Sequence, residues 1–375
     1  MKKQINVGIY LPSATILFYP KHGKEFAGGA ELNCYNLAIE MAKDPKYNVS
    51  FRVMDEGQED MDVHGVHVKK IKHLNRKQGI LQKIFRQIYL IIQIMLFNED
   101  VIITTTASDH LGLLVLIHQK IKRKHVIFRL AHDYNYDVEH YKDRGRRFYK
   151  LYKYGLFNAS ALVAQTNDQK DALLQLGRQA TIIKNGFEIE KDRQTIKNVD
   201  DAFILWVARA QPMKRPELFV ELAQANPNYS FLMIMPTNNQ SESINLRDQI
   251  LDKIRDLPNL KYIPYVESSE IQSYFDQAIL FVNTSSAEGF PNTFIQSGLG
   301  YTPVLSIGIN PDHIFDRYTL GQYCEEDLSM ANAFIRSLTQ EKIQEMGKAS
   351  HQYVEENHSI SHVCSQYKTI VEAII

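Results

Sequence analysis

The stretch "ILFVNTSSAEGFPNTFIQSGLGYTPVLSIG" (279–308) decides the fold. It opens on a short apolar run over 279–285. A turn carrying Glu288, Gly289 and Pro291 follows, then a helical pattern over 291–300 and a second apolar run over 302–308. Two such runs joined through a helix, not through a two-residue turn, read as strand–helix–strand, and that unit makes parallel strands. Gly289 permits the tight turn. Pro291 suits the first helical position, where its missing N–H is no loss.

The alternation extends in both directions. Strand patterns fall at 202–209, 230–236 and 260–266, with helical patterns at 215–226, 245–257 and 268–278, the last expected to be capped. The first half repeats the scheme. Strands are expected at 5–11, 48–55, 65–71, 100–107, 125–133, 161–166 and 180–186. Helices are expected at 28–44, 79–97, 110–122, 146–160 and 167–177, the last capped by Asn167. At 375 residues the chain exceeds the usual ~150 per domain. The polar segment 189–201 is the best linker. The expected fold class is α/β, with two Rossmann-like doubly wound domains facing a central cleft: 1–188, 189–357, and a final helix 358–375 free to pack back on the first domain. Ligands in such sheets sit beyond the carboxyl ends of the strands.

Four clusters fall there. Glu288 precedes a helix start whose N–H groups and dipole suit an anion, and Asn292 and Gln296 share a helix face. A diphosphate at the helix, sugar hydroxyls on Glu288 and ribose hydroxyls on Gln296 would suit a nucleotide sugar; a strand–helix turn with a capping acid is the plain alternative. Arg209 and Lys214 flank a loop ahead of Pro216, placed to neutralise a departing diphosphate or merely to be solvated. Gly28 and Gly29 precede a helix and allow close approach to a phosphate. Arg129, His132 and Asp133 end a strand, where they form either a polar cluster at the cleft or a simple loop cap.

The stretch from Glu288 to Gln296 resembles the E-x7-E signature of the retaining glycosyltransferases of family 4, which have the GT-B fold, with Gln296 in place of the second Glu. An amide keeps a hydrogen-bond acceptor for ribose and loses only the charge. The Arg209/Lys214 pair, the Gly28–Gly29 loop and His132 resemble the family's pattern too. The resemblance implies Glu288, His132, Arg209 and Lys214 as catalytic residues. It implies donor binding by Gly29, Arg209, Lys214, Glu288, Gly289, Phe290, Asn292, Thr293 and Gln296, and acceptor binding by Gly28, Arg129, His132 and Asp133. It implies transfer from a nucleotide-diphosphate sugar to a glycan or polyprenyl-diphosphate-linked glycan, with no obligatory cofactor or metal. No D-x-D pair stands at a strand end. A nucleotide-sugar epimerase and a non-catalytic sugar-nucleotide binder are the alternatives on the same fold.

Composition narrows the partners. The net charge is zero, yet residues 1–186 hold 28 Lys+Arg against 18 Asp+Glu, leaving 15 against 25 for 187–375. A basic first half suits an acceptor carrying phosphates or an anionic membrane surface. The segment 69–97 mixes cations with a broad apolar surface, which fits either a peripheral membrane patch or a core helix with a basic outer face. No nucleic-acid module is recognisable. The lysines and apolar run at the N-terminus imitate a signal peptide, but Asn6 and Pro12 interrupt it, so a cytoplasmic chain is expected. Cys34, Cys324 and Cys364 form no C-x-x-C pair and read as reduced, buried thiols.

Overall fold

The computed structural model describes residues 4–19, 28–72, 80–190, 197 and 203–375. The chain forms two compact units, one running to Glu188 and including Ile360–Ile375, the other Ile189–Ser359. The second boundary lies two residues beyond the expected one. The helix Gln340–His358 runs to its natural end, and Ser359 then leaves helical geometry.

The first unit is built on eight strands: β1 (Ile5–Tyr10), β2 (Tyr47–Met54), β3 (Met61–Val63), β4 (Val66–Ile71), β5 (Val101–Thr105), β6 (His125–Arg129), β7 (Ala161–Ala164) and β8 (Thr181–Ile182). Their order is β3-β4-β2-β1-β5-β6-β7-β8. All pairs are parallel except β3–β4, an antiparallel hairpin that the sequence reading missed. The hairpin turns at His64 and Gly65, both with positive φ, as a two-residue connection between right-twisted strands requires. The strand-forming "VHV" was visible, but its three-residue partner was too short to show a period.

Apolar side chains fill both faces of this sheet. One face packs against the helix Gly29–Ala42 and the last helix, Ile360–Ile374, through Cys34, Leu37, Met41, Val363, Tyr367 and Val371. Asn36 Nδ2 donates to the Gly186 carbonyl at 3.0 Å, and Lys368 pairs with Asp44 at 2.9 Å. The final helix therefore fixes the helix that Gly28 opens.

The second unit holds β9 (Phe203–Val207), β10 (Ser230–Ile234), β11 (Leu260–Ile263), β12 (Leu280–Asn283), β13 (Val304–Ser306) and β14 (Gly321–Tyr323). The order is β11-β10-β9-β12-β13-β14, all parallel. Helices Leu328–Arg336 and Gln340–His358 had no counterpart in the sequence reading. Their caps were the available signal: Asp327 accepts from the Ser329 and Met330 N–H groups, and Thr339 from that of Lys342.

Smaller corrections follow from cap chemistry. Thr166, not Asn167, caps the helix Asn167–Gln175, because its hydroxyl reaches Gln169 N. The helix Ile271–Gln277 begins at Glu270 with no side-chain cap. The helix expected at 245–257 is Ser241–Ile254. Most of the expected linker lies outside the described residues. Lys197, within it, is buried and donates to the Phe275 and Asp276 carbonyls and to Thr302 Oγ1, at 2.6–2.8 Å.

Candidate functional site

In the second unit the connections reverse direction between β9 and β12. Chain leaving β9 crosses to β10 on one side, and chain leaving β12 crosses to β13 on the other. The loops beyond these two carboxyl ends meet at the switch point, where doubly wound sheets take ligands. Arg209 and Lys214 lie on the first loop; Glu288 and the helix Asn292–Leu299 lie on the second.

The loops are tied together by hydrogen bonds. Thr284 Oγ1 donates to the Lys214 carbonyl at 2.5 Å and accepts from Trp206 Nε1 at 2.8 Å. Ser286 N donates to the Met213 carbonyl at 2.9 Å. Arg215 Nε donates to the Thr284 carbonyl at 2.6 Å, and its Nη2 to that of Ser285 at 3.2 Å. Arg215 has a left-handed backbone (φ 47°), and its Nη1 pairs with Glu326 at 2.5 Å. The sequence reading missed Arg215; its signal was the Lys-Arg doublet ahead of Pro216. It acts as a strap holding one loop to the other.

Within this frame Lys214 Nζ pairs with Glu288, and both side chains are mostly buried. Ser285 Oγ donates to the same Glu288 oxygen at 2.9 Å. The structure thus brings Lys214 and Glu288 together and adds Ser285, which the sequence reading did not select. Arg209 is exposed and forms no ion pair with another described residue.

The helix behind Glu288 starts one residue later than expected. Pro291 is its N-cap in extended geometry (φ −65°, ψ 125°), and no side chain caps the first turn. Phe290 is buried against His358, ring centroids 4.7 Å apart, so its role is to seat the turn. Asn292, Thr293 and Gln296 are partly exposed, and the Gln296 carbonyl accepts from Gln272 Nε2 at 2.9 Å. Gly298 lets this helix press on Gln340–His358: a Cβ there would lie 2.5 Å from Val354 Cγ2 and 2.7 Å from the Ser350 carbonyl oxygen.

The first unit has its own switch point, between β1 and β5. Gly28 is the extended N-cap of the helix that begins at Gly29, again without a side-chain cap. His132 and Asp133 follow β6. His132 Nδ1 accepts from Tyr134 N at 3.3 Å and the ring stacks on Tyr134 at 4.7 Å, while Asp133 Oδ1 accepts from Gln169 Nε2 at 2.9 Å. Both therefore serve the loop, and His132 remains partly exposed. Arg129 is placed differently from the expectation. It is 3% exposed and donates to Asn185 Oδ1 and the Leu130 carbonyl, so its guanidinium works inside the unit. A strand's last residue alternates between faces, and the sequence did not say which face this one takes.

No thiol is poised for nucleophilic work. Burial pushes the Cys34 and Cys324 thiols up to about 12 and that of Cys364 to about 11. Among the described residues no group of three His, Cys, Asp or Glu side chains could hold a metal ion.

Residues 187–313, which include all of Arg209–Gln296, match the family model described as "Glycosyl transferases group 1". The two-domain fold matches glycosyltransferase structures of the GT-B type. One is Alr3699/HepE of Anabaena, solved with UDP and glucose (TM-score 0.73, 14% identity, covering 99% of this chain and 100% of that one). A second is sucrose-phosphate synthase of Thermosynechococcus elongatus (TM-score 0.77, 13% identity, 99% of each chain). A third is WaaB, a lipopolysaccharide outer core galactosyltransferase (TM-score 0.63, 11% identity, 99% and 100%). No curated protein matches the chain by sequence.

Proposed function

We propose that the chain is a retaining glycosyltransferase. It moves a sugar from a nucleotide-diphosphate sugar to a hydroxyl of a glycan, or of a glycan carried on a polyprenyl diphosphate, in surface polysaccharide synthesis. The observation that carries the reading is the Lys214–Glu288 pair, held by cross-tied loops at a sheet switch point inside the matched region. The UDP and UDP-glucose complexes of HepE make uridine nucleotides the first donors to try, and the likeness to WaaB, a lipopolysaccharide outer core galactosyltransferase, favours a glycan acceptor.

In this reading the donor diphosphate docks at the helix start near Asn292. Lys214 turns from Glu288 to the phosphate, and Glu288 accepts hydroxyls of the donor sugar. Gln296 binds the ribose. The bond from the anomeric carbon to the diphosphate oxygen breaks as the acceptor oxygen bonds to the same face. The acceptor proton passes to the departing phosphate oxygen. Lys214, Arg209 and the helix dipole take the charge that develops on the diphosphate, the role a divalent ion plays elsewhere. His132 would orient the acceptor in the first unit.

The test is a thermal-shift panel of nucleotides and nucleotide sugars in a chelator, followed by turnover with glycan acceptors. A bound ligand well above its Kd raises the melting temperature. Glu288→Ala and Lys214→Ala are each expected to lower turnover by more than ~100-fold. Near-normal rates in both would sink the reading. Donor consumption without acceptor would point to an epimerase, and binding without nucleotide release to a non-catalytic binder.

A further inference from the structure

The helix Ile80–Met95 is apolar on more than the face it buries. Leu90, Ile94 and, just beyond the helix, Phe97 pack into the first unit. Phe85, Ile88, Ile92, Met95 and Leu96 point the other way and are exposed, Phe85 by 62% and Leu96 by 70%. A surface helix normally carries polar side chains there. The patch continues onto a second element. Lys122 Nζ donates to the Met95 and Phe97 carbonyls, which ties the end of the segment Val115–Ile121 to the end of this helix, and Ile121 is 64% exposed there. At the other end Arg147 hydrogen-bonds Gln87, which sets the start of the helix Arg146–Asn158 beside Ile88.

The three segments that meet here share a charge sign. Residues 80–98, 115–125 and 144–158 contain eleven Lys or Arg and no Asp or Glu. Lys120 and Arg123 are exposed at one end of the apolar stripe, and Arg146, Arg147 and Lys150 at the other. No helix among the described residues is long and apolar enough to cross a membrane. Arg147 also pairs with Asp109 at 3.5 Å, which leaves Lys120, Arg123, Arg146 and Lys150 as the exposed rim. An apolar face rimmed by such cations matches a surface that is apolar below and anionic above, namely a bilayer containing acidic phospholipids. A second copy of the chain would instead bring its own cations against these, a like-charge contact.

We infer that the face formed by Phe85, Ile88, Ile92, Met95, Leu96 and Ile121, with the start of Arg146–Asn158, binds peripherally to an anionic lipid bilayer. The inference goes beyond the transferase reading and does not depend on it. The test is flotation of the full chain with vesicles of phosphatidylcholine alone or mixed equally with phosphatidylglycerol. Binding is expected to the mixed vesicles only, and to weaken at least ~10-fold between low and high salt as the cations are screened. The triple variant Phe85→Ser, Ile92→Ser, Leu96→Ser changes exposed positions only. It should keep its far-UV circular dichroism and any nucleotide-induced thermal shift, yet partition on the order of 100-fold less. Arg123→Glu with Arg146→Glu and Lys150→Glu should lose at least ~10-fold.

Three results would overturn the inference: no flotation with mixed vesicles at low salt, equal flotation with phosphatidylcholine alone, or flotation unchanged in the serine variant. Concentration-dependent self-association that the serine variant abolishes, without vesicle binding, would assign the face to a second copy. Nucleotide binding is scored separately, so failure here leaves the transferase reading intact, and the reverse.

Discussion

His118 offers a measurable link between pH and the stability of the first unit. It is fully buried on the segment Val115–Ile121. Burial, aided by the Lys122 and Lys124 charges and opposed by Glu99, pulls its pKa from 6.5 to about 4. The folded value lies below the unfolded one, so on acidification the unfolded chain takes up the proton first. The stability that neutral His118 contributes is complete above pH 6.5 and is lost as pH falls from 6.5 toward 4. The fall from 6.5 to about 4 corresponds to about 3 kcal/mol in all, of which about 2 kcal/mol has gone by pH 5. Glu99 and Asp100, whose carboxyls are held below the usual range by Arg52 and Lys124 respectively, lose their contribution only below the unfolded carboxylate value near 4, outside this window. The assay is native-state hydrogen exchange at β5 and β6 amides, corrected for intrinsic rates. Between pH 8 and 5 the opening free energy should fall by about 2 kcal/mol, roughly a 30-fold rise in the open population. His118→Leu should remove most of that fall; burial and the Lys124 charge also hold His125 below its ordinary value, so a smaller slope of the same sign remains. Equal slopes in wild type and variant would refute the reasoning.

Lys214→Met and Glu288→Gln remove partners of one ion pair, so their effects on turnover should be strongly non-additive, the double variant losing little more than the worse single one in a double-mutant cycle. Gln296→Glu should change donor KM by a few-fold and leave kcat nearly unchanged, because the residue is assigned a binding role; steady-state kinetics with varied donor checks this. Gly298→Ala places a methyl against Val354 and the Ser350 backbone and should destabilise the second unit by about 1–3 kcal/mol, followed through the fluorescence of Trp206, the chain's single tryptophan.

The parallel sheets were legible because long helices alternate with apolar runs, and the restart after 189 separated the two units. The antiparallel β3 was not legible, since three residues carry no usable period. Helices 328–336 and 340–358 were missed although Asp327 and Thr339 announce them, because polar faces diluted the apolar pattern. At the candidate site, Glu288 and Lys214 could be read from loop position. Their mutual pairing, the hydroxyl of Ser285 and the strap formed by Arg215 depend on two loops 70 residues apart meeting at the switch point, which no local pattern encodes. Arg129 went astray for a related reason: a strand's terminal side chain has two faces to choose from, and only the fold decided that this one turns to Asn185.

The return of the last helix to the first unit has a consequence for synthesis. Tyr367, Cys364 and Val371 complete a core that begins at Val7, so the first unit's core stays open while the rest of the chain is made. The second unit, continuous from Ile189 to Ser359, leaves the ribosome whole and is free to fold first. Until residues 360–375 emerge, the apolar side of Gly29–Ala42 lacks its cover, and that interval is when a nascent chain of this design is most exposed to aggregation and most in need of a chaperone.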